Sequence, residues 1–334
     1  MKVLLSPHGI GIGTLAQALR SQGVNAAACS FSDDAYAYLS DRCLRLNKHS
    51  NKSRQAIRKA FMEEAVRTYD VFHFHFGETL LPDKSDLKLL KGMGKKLVMH
   101  HNGSDARVLS IARSHNNPYV LVKETWPETR VQESMKRIAA YIDHAIINDY
   151  ELFPFVEPYY KYVHVVPYAI NVHRVMPRYP APVSVPLVVH APSHREVKGS
   201  EFVVAAVDRL KNEGYAFDFR LLEGLPHDEA KKLYAQSDII IDQLRIGTYA
   251  NLSMEAMAMG KPVICYIRED LRHTFPGELP IVSANPDTIY RELKSLLERP
   301  GDWKDIGMKG RNYAEQFHSY DYVGKLLVET YQQL

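Results

Sequence analysis

One carboxylate stands alone in a long uncharged part of the sequence. Between Arg245 and Lys261 the only charged side chain is Glu255, in the stretch GTYANLSMEAMAMGKPVICY. The pattern predicts a helix that follows the strand DIIIDQL and ends before Gly260, where Pro262 bars its continuation. A carboxylate on the ligand edge of the sheet can accept two hydrogen bonds from a vicinal diol such as ribose, each worth roughly 1.5–3 kcal/mol. The alternative is a glutamate satisfied by a neighbouring N–H or cation.

The loop before this helix predicts an anion site. Its backbone N–H groups and the positive end of the helix would face an anion such as a diphosphate. The residues of this candidate anion-binding loop are Gly247, Thr248, Tyr249, Ala250 and Asn251.

A second loop, HAPSHREVKGSEF, would bring cations to the same edge of the sheet. It follows the strand PLVVH and contains Arg195 and Lys198. Helix ends contribute only about 0.3–1 kcal/mol each, too little to hold a diphosphate in water, so side-chain cations are needed. Lys198 is the first candidate, and a solvated lysine is the alternative. His190 and His194 straddle a proline and a strand end, so a metal pair is not predicted there.

A glycine-rich loop near the amino terminus allows two interpretations. In SPHGIGIGTLAQALRSQG, Gly11, Gly13 and Ala16 match the dinucleotide fingerprint, and Asp33 or Asp34 is near the expected acidic position. One interpretation is a nicotinamide cofactor. The other is a loop that lets a substrate approach the backbone closely.

The loop in VMHHNGSDAR offers polar groups at the end of another predicted strand. His100 or His101 would hydrogen-bond or polarise a substrate hydroxyl, and Asp105 would hold an acceptor hydroxyl or Arg107. The alternative is that one histidine ends the strand as a satisfied core residue. In HFHF (73–76) strand alternation puts both histidines on one face, and we assign them no chemistry.

A basic segment is the remaining candidate surface. It has seven basic residues and no acidic one: Arg42, Arg45, Lys48, Lys52, Arg54, Arg58 and Lys59. An anionic acceptor or an anionic membrane would fit, at about 1 kcal/mol per cation near a bilayer. A solvated helix face is the alternative.

These residues need two α/β domains to position them. Strand-like runs alternate with helical patterns, as in parallel sheets with crossover helices, so the loops after strands should carry the site. The predicted strands are KVLLS, NAAACSF, VFHFHF, KLVMHH and HAIIND in the first half and PLVVHAP, FDFRLLEG, DIIIDQL and KPVICY in the second. The proline-rich PRYPAPVSVP suits a stiff connection. We predict a Rossmann-like domain over 1–170, a second over 171–318, and a helix over 319–334 that packs back on the first.

Composition narrows the class of protein. The 334 residues are 46% hydrophobic and 24% charged with a net charge of +3, which suits a folded soluble protein and disfavours nucleic acid as a partner. Cys29, Cys43 and Cys265 have no disulfide or zinc spacing. We expect a cytoplasmic protein without a signal peptide or membrane span, with a peripheral membrane contact through the basic segment as a hypothesis.

The second half resembles the retaining glycosyltransferases of family 4, which have the GT-B fold. The likeness rests on HAPSHREVKGSEF, LLEGLPHDEAKKLYAQSDIIIDQL and MEAMAMGKPVICY, and extends in order to the glycine loop, HNGSDAR and VPYAIN. It implies that Lys198 contacts the donor diphosphate and that Glu255, the second glutamate of an E-x7-E motif, holds the ribose. It also implies that His101 or His100 lies near the transferring sugar, and the Gly11–Gly13 loop near donor and acceptor.

The sequence departs from the family pattern at two positions. Gly247 stands where the first glutamate of E-x7-E would be, and Ser193 stands where an arginine usually precedes the lysine. Arg195 is the candidate replacement for that arginine. Glu223, in LLEG, completes the candidate donor residues.

The resemblance implies a function. It is the metal-independent transfer of a sugar, with retention of configuration, from a nucleoside diphosphate sugar on the second domain to a hydroxyl acceptor on the first, without a cofactor. Two alternatives remain open: a catalytically silent binding protein, suggested by Gly247, and a nicotinamide-dependent oxidoreductase that uses the Gly11–Gly13 loop.

Overall fold

The computed structural model describes residues 1–7, 11–33, 40–115, 117–123 and 126–334. The chain forms two compact units. Unit 1 consists of 1–108, 124–169 and 320–334, and unit 2 consists of 109–123 and 170–319.

Unit 1 is built on a seven-stranded parallel sheet. The strands are β1 (Lys2–Ser6), β2 (Asn25–Ser30), β3 (Arg42–Cys43), β4 (Val71–His75), β5 (Lys96–His100), β6 (His144–Ile147) and β7 (Tyr162–Val165). Its helices are α1 (Ile12–Ser21), α2 (Asn51–Thr68), α3 (Ser85–Gly92), α5 (Glu128–Ala139), α6 (Phe153–Val156) and α13 (Tyr320–Gln332), with a 3-10 turn at Leu46–Lys48.

The strand order of unit 1 is β3-β2-β1-β4-β5-β6-β7, the doubly wound arrangement. The chain reverses direction of winding between β1 and β4, so the glycine loop after β1 and the residues after β4 and β5 share the carboxyl edge of the sheet. The apolar runs of these strands are buried, because helices cover both faces of a parallel sheet.

The last helix packs onto the first one. Val323, Leu327 and Tyr331 of α13 are fully buried, and a Cβ at Gly324 would collide with the carbonyl oxygen of Ala18 in α1. The close approach of the two helices therefore depends on glycine at this position. This packing of the C-terminal helix on the first Rossmann-like unit is as expected from the sequence.

Unit 2 is built on a four-stranded parallel sheet in the order β11-β10-β8-β9. The strands are β8 (Leu187–His190), β9 (Asp218–Leu221), β10 (Ile239–Ile241) and β11 (Val263–Ile264). Its helices are α4 (Leu109–Ser114), α7 (Arg195–Lys198), α8 (Ser200–Asn212), α9 (His227–Gln236), α10 (Asn251–Ala258), α11 (Ile289–Glu298) and α12 (Trp303–Phe317). Short 3-10 turns occur at Val172–Arg174, Glu269–Thr274 and Pro300–Asp302.

Two parallel-sheet α/β units confirm the predicted fold class, but particular segments differ from expectation. The strands β3 and β7 were not predicted. The segment Leu109–Lys123, assigned from the sequence to the first domain, clusters with unit 2. The Asn117 side-chain amide explains this, because it donates to the carbonyls of Arg245 at 2.8 Å and Ile246 at 2.9 Å.

In the described part of the chain, no helix combines the length and the apolar character that crossing a bilayer would need.

Three buried histidines stand side by side in the sheet of unit 1. His73 and His75 of β4 and His100 of β5 have ring nitrogens within 4.8 Å of one another, a spacing at which metal ligation has to be considered. The His73 ring, however, is stacked on the rings of His75 and His100 at interplanar angles of 19° and 16°, and the rings of His75 and His100 are tilted by 33°. Because ring lone pairs lie in the ring planes, stacked rings do not converge on one ion, and these residues fit a metal poorly.

Hydrogen bonds within the interior show that His73 and His100 belong to the core. His73 Nδ1 lies 2.6 Å from the Tyr331 hydroxyl, and its Nε2 lies 3.3 Å from His100 Nδ1. The side-chain amide of Asn148 donates to His100 Nε2 at 3.1 Å. Burial, and then the charge of His101, lowers the pKa of His100 to about 3, and burial likewise holds the pKa of His73 far below its ordinary value.

These depressed pKa values make unit 1 sensitive to acid. The unfolded chain binds protons near pH 6.5 while the folded histidines stay neutral, so the stabilisation is complete above pH 6.5 and is lost as the pH falls toward 3. We expect the free energy of unfolding to drop by about 1.4 kcal/mol per pH unit for each such histidine. Urea denaturation between pH 7.5 and pH 5 measures it.

The comparison of two variants isolates the effect. His100→Gln should show a shallower loss of stability on acidification than the wild type, whereas His49→Gln, at an exposed position, should keep the wild-type slope. Identical slopes for all three proteins would contradict the assignment of a neutral buried imidazole.

Candidate functional site

Lys198 ends α7, the short helix that follows β8 in unit 2. Its ammonium donates to Asp242 Oδ1 at 3.2 Å and to Gln243 Oε1 at 2.6 Å, and only 14% of the side chain is exposed. Both partners follow β10, the neighbour of β8 in the sheet. Lys198 therefore lies at the carboxyl edge of the sheet, as the sequence predicts. Its hydrogen bonds join the segment after β8 to the segment after β10.

Asp242 connects this lysine to the start of α10. Its other carboxylate oxygen accepts from the backbone N–H of Ala250 at 3.2 Å and from the Ser253 hydroxyl at 2.7 Å. The carboxylate thus satisfies donors in the first turn of a helix, where negative charge is stabilised. The sequence reasoning missed Asp242 and Gln243, although two polar residues directly after the apolar run III were the available signal.

Glu255 lies in α10 with 11% of its side chain exposed. One carboxylate oxygen is 2.7 Å from Nε2 of His227, the first residue of α9. Because α10 follows β10 and its loop, Glu255 and Lys198 follow adjacent strands of one sheet. The structure gives the carboxylate a histidine partner that the sequence did not predict.

Arg195 and Glu223 form an exposed ion pair with each other. Arg195 Nε donates to Glu223 Oε1 at 2.6 Å, and a second guanidinium N–H donates to the other carboxylate oxygen. Ser193 is exposed on the same loop. Each of the two charged candidates is therefore neutralised by the other, and a role for either in donor binding stays a prediction.

Gly247 has a backbone and surroundings that exclude a larger residue. Its φ is +95°, and a Cβ built there would lie 2.5 Å from Cγ and Cδ of Arg268. Arg268 is fixed, because its N–H donates to the Gly247 carbonyl at 2.8 Å and its guanidinium pairs with Asp270. The side chain of Arg268 thus occupies the space that a side chain at position 247 would need, and no pattern in the sequence indicated this contact.

The other candidate donor residues have different environments. The Thr248 carbonyl accepts from the Gln243 side-chain amide, so the loop is tied to the end of β10. Tyr249 is buried, with its hydroxyl 3.0 Å from His318 Nε2, which makes it a core residue of unit 2. Ala250 is the N-cap residue of α10, and Asn251 is its first residue.

In unit 1, two adjacent histidines have different environments. His100 is the interior core residue described above, as the alternative interpretation of this loop allows. His101 is also buried, with Nδ1 2.7 Å from Asp105 Oδ2 and Nε2 2.9 Å from the Tyr160 hydroxyl. A neutral ring that donates to Asp105 accepts from Tyr160, so both nitrogens are engaged. His101 can reach a substrate only after the Tyr160 hydroxyl gives way.

Asp105 holds this histidine and its own loop. It also accepts from the N–H groups of Asn102 and Gly103, each at 3.0 Å. Burial raises the pKa of Asp105, but the His101 ring and these hydrogen bonds outweigh it and hold the pKa below its ordinary value. Of the two partners that the sequence allows for Asp105, an acceptor hydroxyl or Arg107, the second is paired with another carboxylate.

Arg107 instead pairs with Glu151. Its Nε donates to Glu151 Oε1 at 2.8 Å and a terminal N–H donates to Oε2 at 2.5 Å. Glu151 follows β6, so the bidentate pair links the loops after β5 and β6. Arg107 therefore stabilises the contact between these two loops. Its proposed role in binding an acceptor stays a prediction.

The glycine loop and its acidic partner are only partly as predicted. Gly11 has a φ of +77° and is the N-cap residue of α1, while Gly13 is buried within that helix. Asp33 is 2.6 Å from the ammonium of Lys48 and 3.5 Å from Arg45. The carboxylate expected to hold a ribose in the nicotinamide hypothesis is thus engaged by cations, and Asp34 lies outside the described residues.

Three of the seven cations of the basic segment pair with carboxylates outside it. Arg42 pairs with Glu64, Arg45 and Lys48 with Asp33, and the Arg54 guanidinium donates to backbone carbonyls. The segment therefore carries less free positive charge than its composition indicates.

Residues 189–329 match a protein-family model described as glycosyl transferase-like. The matched segment is less than half of the 334 residues and covers most of unit 2 and much of α13. No curated protein sequence is significantly similar to this one.

Solved structures resemble the chain over its full length. Sucrose-phosphate synthase from Thermosynechococcus elongatus has a TM-score of 0.65 at 14% identity, covering 99% of this chain and 98% of that one. Anabaena HepE in complex with UDP-glucose has a TM-score of 0.64 at 14% identity, with both chains fully covered. HepE with UDP gives 0.62 at 13% identity, again over 100% of both chains. At such low identity these likenesses show the fold, which is GT-B, and with the family model they support a glycosyltransferase.

Because Arg268 occupies the space beside Gly247, we expect any side chain introduced at position 247 to destabilise the protein. Gly247→Ala should lower the free energy of unfolding by about 1–3 kcal/mol, because it adds a steric collision to a left-handed backbone. Gly214→Ala is the matched control, since Gly214 has a φ of +90° with nothing within 4 Å of its Cβ position.

Urea denaturation of the wild type and the four variants Gly247→Ala, Arg268→Ala, Gly247→Ala/Arg268→Ala and Gly214→Ala tests this. We expect Gly247→Ala to lower the free energy of unfolding less in the Arg268→Ala background than in the wild type, because the collision with the Arg268 side chain is then absent. If Gly247→Ala is no more destabilising than Gly214→Ala, Arg268 does not occupy this space in solution.

Proposed function

We propose that the protein transfers a sugar from a nucleoside diphosphate sugar to a hydroxyl acceptor. The observation that carries this is Lys198, held by Asp242 and Gln243 beside the start of α10 within the segment matched to glycosyl transferase-like proteins. An ammonium has three donors, and two are engaged by these partners. The third donor is the one that would contact a phosphate oxygen of the donor.

The leaving diphosphate needs stabilisation as the bond to the sugar breaks. In our proposal the fixed ammonium of Lys198 and the amino-terminal end of α10 supply it, so that no divalent metal is required. Because Asp242 fixes both groups before the donor binds, little reorganisation is needed during the reaction. The Glu255 carboxylate would accept hydrogen bonds from the ribose, with His227 orienting it from the side.

Unit 1 would hold the acceptor. His101, oriented by Asp105, would come into contact with the transferring sugar when Tyr160 is displaced. The acceptor oxygen bonds to the anomeric carbon on the face that the diphosphate leaves, the bond to the diphosphate breaks, and the acceptor proton passes to the leaving phosphate. This course retains the anomeric configuration, as the resemblance to family 4 implies.

UDP-glucose is the first donor to test, because the structural relative HepE was solved with UDP and with UDP-glucose. An NMR spectrum of the glycosidic product, taken with and without EDTA, tests retention and metal independence together. An inverted anomeric signal would exclude the proposed course, and activity lost in EDTA and restored by a divalent ion would exclude metal independence.

A silent binding protein is the second candidate. It is favoured by Arg268, which fills the space beside Gly247, and by the engagement of both His101 ring nitrogens. Release of UDP from bound UDP-glucose, followed by a coupled assay, separates the two candidates, since a silent protein releases none.

Lys198→Gln should weaken binding of UDP and UDP-glucose by about 10-fold or more, because a charge-assisted hydrogen bond is worth roughly 1.5–3 kcal/mol. Calorimetry measures the affinity. Lys232→Gln, an exposed lysine on α9 of the same unit, is the control and should leave it unchanged. Equal affinities of wild type and Lys198→Gln would remove Lys198 from the donor site.

A further inference from the structure

A two-lobed cavity in unit 1 is lined by basic side chains from separate elements. One lobe has a volume of about 270 Å³ and the other about 320 Å³, and both are lined by Pro82, Lys84, Arg130 and Ser134. The first lobe is also lined by Phe76 and Gly77, which directly follow β4. The cavity, here called the cationic pocket, therefore lies at the carboxyl edge of the sheet.

Two of its cations, Arg58 and Lys84, are half-buried. A terminal N–H of Arg58 donates to the Leu80 carbonyl at 2.9 Å, and the Lys84 ammonium donates to the Gly77 carbonyl at 2.8 Å. Within the described ranges, neither cation is in an ion pair with a carboxylate. Burial lowers the pKa of both groups, which reports the cost of holding these charges away from water.

Two more cations come from α5. Arg130, Ser134 and Arg137 are spaced so that they share one face of that helix, and all three line the pocket. Burial is the main cause of the lowered Lys84 pKa; the carboxylates of Glu78 and Asp86 oppose it, and the charges of Arg137 and Arg130 add to it to a smaller extent, so the cations act on one another. Mutual repulsion of this kind is relieved when an anion binds between them.

Three carboxylates also line the pocket and reduce its net charge. Asp105 is committed to His101 and to backbone N–H groups. Glu78 and Glu133 are exposed, so their charges are screened by solvent more strongly than those of the half-buried cations. The pocket therefore presents fixed cations inside and mixed charges outside, which suits a ligand with one anionic group and several hydroxyls.

An exposed indole completes the first lobe. Trp126 has 47% of its surface exposed, and the Arg130 guanidinium lies 3.6 Å from the centre of its ring. An aromatic ring beside a positive group can pack against the apolar face of a sugar while the cation binds an attached anion.

We propose that the cationic pocket binds the anionic group, phosphate or carboxylate, of a saccharide acceptor, through Arg58, Lys84 and Arg130 with Trp126 against the sugar. This assignment of the ligand as acceptor rests on the proposed glycosyl transfer. Asp105 connects the pocket to that reaction, because the carboxylate that holds His101 also lines it.

Binding in the absence of any donor tests the proposal. Calorimetry at low ionic strength compares glucose 6-phosphate, glucuronate, inorganic phosphate and glucose. We expect one of the two charged sugars to bind at least about 10-fold more tightly than glucose, since a charge-assisted hydrogen bond discriminates by that factor or more. The stronger of the two identifies phosphate or carboxylate as the recognised group.

Matched variants locate the site. Lys84→Gln and Arg130→Gln should each weaken binding of the charged sugar about 10-fold, whereas Lys88→Gln on α3 and Lys136→Gln on α5, exposed positions outside the pocket lining, should not. The ligand should also quench Trp126 fluorescence in wild type and not in Trp126→Phe. The only other tryptophan, Trp303, is in unit 2 and 1% exposed.

Two results overturn the proposal: equal affinity for charged sugars and glucose, or unchanged affinity in both Lys84→Gln and Arg130→Gln. The donor experiment on Lys198 is independent. Nucleotide-sugar binding without charged-sugar binding refutes the pocket alone, and charged-sugar binding without nucleotide binding refutes glycosyl transfer but retains an anionic saccharide site.

Discussion

The carboxylate of Asp242 is the point on which the candidate donor site depends. One oxygen accepts from Lys198 and the other from the first turn of α10, so the positions of a cation and a helix terminus are set by a single buried side chain. A buried carboxylate is costly unless its oxygens are satisfied, and here the partners come from loops after two adjacent strands. The same contacts that satisfy Asp242 therefore align the groups proposed to bind a diphosphate.

At the end of β5 in unit 1, two consecutive histidines have different roles: His100 is a core residue, and His101 belongs to the candidate site. His100 completes a stack of buried histidines that meets Tyr331 of the last helix through His73. His101, the next residue, is directed instead to Asp105 and Tyr160. Alternation along an extended chain accounts for the difference, because successive side chains project to opposite sides. A neutral histidine core and an oriented histidine thus follow from one strand and its end.

The positive charge of the folded unit 1 is not distributed as the basic residues are along the sequence. The basic segment has no acidic residue, yet in the folded protein Arg42 pairs with Glu64, and Arg45 and Lys48 share Asp33. Arg58, from the same segment, is turned toward the cationic pocket and contacts only a backbone carbonyl and the Phe31 ring among its described partners. Arg58, Lys84 and Arg130, the cations proposed to bind an anion, come from three separate parts of unit 1, and none of them is in an ion pair with a carboxylate among the described residues.

The sequence by itself determined the elements and the edge at which chemistry can occur. Apolar runs of strand length, separated by helical patterns, are enough to place nine of the eleven strands in the described residues, and the segments that follow these strands contain Lys198, Glu255 and His101. The short strands β3 and β7 lack such a run and were missed. Only the tertiary structure decided the partners: Asp242 for Lys198, His227 for Glu255, and Arg268 in the space beside Gly247. These pairs join residues 21 to 44 positions apart, and local pattern carries no information on such contacts, because they are set by strand order and by which side chains meet at the sheet edge.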